Sequence, residues 1–92
     1  MEMVRVLGKD RGKVVLYAPS TCAWCKLVKG LLDRLGVGYS YVYVDLERGQ
    51  SREEAVGQIK RFNPTCSFPT LVIDDDRCIV GYKESEIEGA LG

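Results

Sequence analysis

The chain is 92 residues long, 46% hydrophobic and 28% charged, which suits one domain spanning 1–92 around a modest core. Thirteen basic residues balance thirteen acidic ones, so no net field favours nucleic acid or an anionic membrane surface. Histidine is absent, which excludes histidine acid–base catalysis and every Cys/His metal site.

No apolar run approaches the ~20 residues of a membrane span. Residues 1–5 lack the apolar core of a signal peptide. The expected location is the cytoplasm, where structural disulfides are uncommon and a close cysteine pair points to redox or metal chemistry.

In chain order, Val4 and Val6 alternate with polar neighbours as a short strand, and the segment from Gly8 to Gly12 reads as a turn. Val14 to Tyr17 is β-branched and continuous, as in a buried central strand. Thr21 is the expected N-cap of the next helix. Trp24, Leu27, Val28, Leu31, Leu32 and Leu35 carry that helix at i, i+3, i+4, i+7 spacing, and Gly36 fits its C-cap.

Tyr39 to Leu46 alternates as a further strand. Ser51-Arg52-Glu53-Glu54 has the capping-box pattern, followed by an apolar face of Ala55, Val56, Ile59 and Phe62 that should stop before Pro64. Thr70–Ile73 and Ile79-Val80 flank Asp74-Asp75-Asp76-Arg77 as a hairpin, and Ile87, Ala90 and Leu91 predict a short last helix. The order β-α-β-α-β-β-α, with one extra strand in front, predicts a three-layer α/β sandwich. The element order alone does not place that extra strand.

The stretch Ser20-Thr21-Cys22-Ala23-Trp24-Cys25-Lys26 is the chemical centre of the sequence. A thiol at a helix N-terminus meets unpaired backbone N–H groups and the positive end of the helix dipole. Both favour the thiolate, which is the reactive form. A second thiol three residues later can close a disulfide. This is the layout of a dithiol redox centre, with Cys22 as nucleophile and Cys25 as resolving thiol.

The element order, Cys22-Ala23-Trp24-Cys25 and Ser67-Phe68-Pro69-Thr70 together resemble the thioredoxin fold, and within it the glutaredoxins and NrdH-type redoxins. The resemblance spans Lys13 to Leu91. It implies a mixed four-stranded sheet, a cis bond before Pro69, and pairing of the Phe68 backbone with an extended substrate. It also implies reduction of protein disulfides, with Trp24, Phe68, Pro69, Gly81 and Tyr82 as the substrate-binding set and no tightly bound cofactor.

Glutathione-using members carry a lysine where this chain has Pro19, and a Gly-Gly-x-Asp-Asp-like stretch where it has Gly81-Tyr82-Lys83-Glu84-Ser85-Glu86. That segment is more similar to NrdH-type redoxins. The implied electron donor is therefore a thioredoxin-reductase-type protein rather than glutathione, and ribonucleotide reductase is a client by resemblance. Thioredoxins proper bury an aspartate where this chain has Leu16.

Other readings stay open on the residues alone. The alternative is a metal-binding module that holds an iron–sulfur cluster or zinc with the same cysteines; a four-thiolate site would need Cys66 and Cys78 as well, at a spacing unlike a standard knuckle. No metal ligands are assigned. Cys66, three residues before Pro69, is a candidate auxiliary thiol, and Cys78 reads as a small buried hydrophobe. Trp24 is either core packing or an outward lip, and the lip is favoured. Tyr17 reads as packing, Lys60 and Arg61 as a solvated helix end, and the three aspartates as a hairpin turn.

Overall fold

The computed structural model describes residues 3–92. Five strands form one sheet, in the order β1-β3-β2-β4-β5. They are β1 (Val4–Val6), β2 (Val14–Ala18), β3 (Tyr39–Tyr43), β4 (Thr70–Ile73) and β5 (Arg77–Val80), joined by helices α1 (Ala23–Leu35), α2 (Gly49–Phe62) and α3 (Glu84–Leu91). β2 runs parallel to β3 and antiparallel to β4. β5 closes the hairpin on β4, and β1 pairs antiparallel with β3, Val4 opposite Tyr41. The expected extra strand thus takes the sheet edge beyond β3.

All five residues of β2 are buried, because helices cover both faces of the sheet there. Alternation along the strand sends Val14, Leu16 and Ala18 to the layer of α1 and α3, where Val28, Leu31, Leu32, Ile87 and Leu91 meet them. Val15 and Tyr17 face the other way, into a layer closed by Ala55 and Ile59 of α2. Tyr17 is packing, as expected, and burial raises its hydroxyl pKa.

Three local expectations need correction. The strand predicted to reach Leu46 ends at Tyr43, and Val44–Leu46 is a turn of 3-10 helix that steers the chain out of the sheet toward α2. α2 begins at Gly49 rather than behind the Ser51 capping box; its N-cap is Arg48, with no side-chain cap. α1 is capped by Cys22, not Thr21: the Cys22 sulfur, rather than a threonine oxygen, accepts the Cys25 N–H. The C-cap is Gly36 as expected, in a left-handed conformation at φ 70° that returns its N–H to Asp33 and Leu32.

The connection from β1 to β2 crosses the end of α1. Lys9 donates to the Gly36 carbonyl and accepts from the Gly38 N–H, both at 2.8 Å. A Cβ on Gly8 would lie 2.5 Å from the Val37 carbonyl carbon, so the two backbones meet there only because residue 8 is glycine.

Candidate active site

β2 ends at Ala18, and the loop Pro19–Thr21 delivers Cys22 to the start of α1. Cys22 is half-buried, with extended backbone at φ −78° and ψ 118°. Its backbone N–H bonds the Pro19 carbonyl, and its own carbonyl accepts from Lys26. Cys25, one turn on, is only 2% exposed. The two sulfurs are paired as a disulfide, with Cα atoms 5.2 Å apart. The Cys25 N–H points at the Cys22 sulfur, 3.2 Å away. The outer thiol is therefore the one a substrate can reach, and the inner one is placed to displace it.

Asp45, in the 3-10 turn after β3, holds the loop before Cys22. Its carboxylate accepts from the Ser20 N–H at 2.8 Å and the Ser20 hydroxyl at 2.6 Å. Those hydrogen bonds favour the charged form and lower the carboxyl pKa.

On the other side lies the Phe68–Pro69 peptide, which is cis. The Pro69 carbonyl accepts from the Gly81 N–H at 2.9 Å, and Gly81 takes φ 86° to turn the chain out of β5. Trp24 is 62% exposed, so it stands outside the core. Its ring lies 6.4 Å from that of Tyr82, whose hydroxyl donates to Glu84. Leu27, which the periodicity assigned to the buried face, stands 48% exposed three residues after Trp24.

Trp24, Phe68, Pro69, Gly81 and Tyr82 together line a groove of about 310 Å³. These are the five residues the sequence singled out for substrate binding. None is charged, and Trp24 belongs to the Cys-x-x-Cys turn itself, so the groove abuts the dithiol. A larger depression of about 470 Å³ runs along α2 between Arg52 and Lys60 and has no cysteine in its lining.

Cys66 does not line the groove. It packs against the core on the α2 side of the sheet, in a left-handed conformation at φ 52°. Cys78 is half-buried rather than buried, because β5 is an edge strand; burial still raises its thiol pKa. Both are free thiols, and among the described residues no three Cys, Asp or Glu side chains converge as metal ligands. No helix there is long and apolar enough to cross a membrane.

Sequence reasoning missed Asp45 and Asn63, the polar residues that hold the loops on either side of the dithiol. Asp45 sits in a stretch that reads as strand. Asn63-Pro64 is a turn signal, and it was the available pointer to the second.

A dithiol at the start of α1, faced by a cis-proline loop at the end of a mixed sheet, defines a thioredoxin-fold thiol–disulfide oxidoreductase. The sequence matches the glutaredoxin family model over residues 14–79, and the chain belongs to the glutaredoxin family. It is similar to the glutaredoxin from Methanosarcina mazei, at 54% identity and TM-score 0.92, over 98% of this chain and 87% of that one. It is also similar to the methanoredoxin of Methanosarcina acetivorans, at 52% identity and TM-score 0.89, over 92% and 90%. A buckwheat glutaredoxin in complex with glutathione aligns at 26% identity and TM-score 0.64, over 85% and 71%. No curated protein sequence matches the chain.

Its activity is dithiol thiol–disulfide exchange through Cys22 and Cys25, and the family acts on protein disulfides with its own thiols rather than a tightly bound cofactor.

Proposed function

We propose that the chain is one redox domain that reduces protein disulfides in the cytoplasm, with Cys22 as nucleophile and Cys25 as resolving thiol. The Cys22 thiolate attacks one sulfur of the substrate disulfide, forms a mixed disulfide and releases the first substrate thiolate. Cys25, deprotonated in the step, attacks the Cys22 sulfur and releases the second. Two electrons pass to the substrate, two protons follow, and the protein is left with the Cys22–Cys25 disulfide. A donor dithiol reverses the sequence.

The groove carries the reading of the substrate. Its five lining residues are uncharged, and they include the neighbouring Trp24 and Tyr82 rings and the Phe68–Pro69 dipeptide. That surface suits an extended polypeptide, read by main-chain pairing and apolar contact. Glutathione brings two carboxylates and an ammonium group, and the lining offers no charged side chain to pair with any of them. With Pro19 where glutathione-using relatives carry lysine, this favours a thioredoxin-reductase-type protein as donor. Ribonucleotide reductase remains a client suggested by resemblance.

The test is equilibration in glutathione redox buffers, followed by alkylation and mass spectrometry of each cysteine. Cys22 and Cys25 should oxidise together in one two-electron step. Cys22→Ser should abolish disulfide reduction, and Cys25→Ser should accumulate a mixed disulfide on Cys22. Persistent reduction of both thiols in oxidising buffer would refute the dithiol mechanism. Faster reduction by glutathione than by a thioredoxin reductase would overturn the choice of donor.

A further inference from the structure

Asn63 ends α2, and its side chain turns inward rather than to solvent. It is 6% exposed and, with Thr70, is one of two buried polar residues among those described. Its amide nitrogen donates to the Ser67 carbonyl at 3.0 Å, the Ser67 hydroxyl at 3.1 Å and the Thr70 hydroxyl at 3.2 Å. Its amide oxygen accepts from the Thr65 hydroxyl at 2.7 Å. Its backbone carbonyl accepts from the Cys66 N–H at 2.9 Å. Thr70 closes the ring by donating to the Ser67 carbonyl at 2.6 Å.

Only Phe68 and Pro69 lie between Ser67 and Thr70, and both line the substrate groove. One carboxamide therefore grips the chain immediately before and immediately after a dipeptide that lines the groove. β4 starts only at Thr70, and before it the Pro69 carbonyl is tied to the sheet by one backbone bond, from the Gly81 N–H.

We infer that Asn63 is a positioning residue for substrate recognition: it sets the register of the Phe68–Pro69 backbone against the dithiol without touching substrate. The role needs an amide. A carboxylate of the same size keeps the acceptor toward Thr65 but loses every donor, and its oxygen then faces the Ser67 carbonyl. Buried acceptors left without a donor are costly, so the loop must rearrange to rehydrate them. The inference rests on the groove being the docking site for substrate.

The experiment is single-turnover reduction of a labelled peptide disulfide by the pre-reduced protein, run beside iodoacetamide alkylation of Cys22. Iodoacetamide reports the thiolate and does not need the groove. Asn63→Asp should raise the half-saturating peptide concentration about tenfold, while the limiting rate and the alkylation rate stay within about twofold of the parent. Thr70→Val, which removes one of the gripped hydroxyls, should shift half-saturation the same way by about threefold; it carries the test if Asn63→Asp does not fold.

Unchanged half-saturation in a folded variant would overturn the proposal, as would alkylation that falls in step with it. Trp24→Ala separates the two levels. If it raises half-saturation and the Asn63 and Thr70 variants do not, the positioning role fails and the groove stands. If none of them moves it, the groove reading fails and the positioning role with it.

Discussion

Asp45 shows how an exposed carboxylate can matter to a half-buried cysteine. Its two bonds to Ser20 fix the loop that places Cys22 at the head of α1. Because those bonds lower its pKa, the charged clamp contributes to the folded state above the unfolded carboxyl value of about 3.9. The contribution is lost as pH falls through the lower, folded value. The Ser20 amide resonance should therefore titrate in acid, with a midpoint below that of an ordinary aspartate. In Asp45→Asn this transition should vanish; its persistence there would assign the clamp to another group.

The ends of α1 are set by two residues with different duties. Cys22 caps the start through a sulfur that also belongs to the disulfide, whereas Gly36 stops the helix by adopting φ 70°. A side chain at position 36 meets no neighbour, so Gly36→Ala isolates the backbone cost. That substitution should lower stability by about 1–2 kcal/mol. Thermal melting should report it as about 4–8 °C per kcal/mol for a chain of this size.

The helices could be read from the sequence because apolar residues repeat at the helical period, and α1 also carries a glycine stop. The end of β3 could not. Val44 and Leu46 have strand-like side chains, but the chain must leave the sheet to begin α2, a demand set by the distance to α2 and not by local preference. The same holds in the site. Cys22, Trp24 and Cys25 form a local motif, and Phe68 to Thr70 is another. Asp45 is 25 residues from its partner Ser20, so nothing near either one announces the contact. Leu27 fits the helical stripe yet faces solvent, since periodicity places a residue on a face and cannot say how far a neighbouring element extends over it.

The whole molecule rests on β2, which is buried on both faces between two helical layers. Leu16 is fully buried at its centre, packed on the α1 and α3 side and opposite Leu71 of β4. Leu16→Ala should cost about 2–5 kcal/mol, measured by urea unfolding. That is a large share of the 5–15 kcal/mol typical of folded proteins, because a rigid sheet with helices on both sides cannot collapse onto the cavity.

Phe68 is the one groove residue that packs against both helical layers. Its backbone is thus wedged at the seam of the sandwich, with little slack for a partner to take up. For the docking proposed at this groove, the ordering entropy of the receiving edge was already lost when the chain folded, and only the incoming strand would have freedom left to give. Recognition at such an edge works by a preset shape. Clients should differ in affinity according to how readily they straighten, more than by how well this protein yields to them.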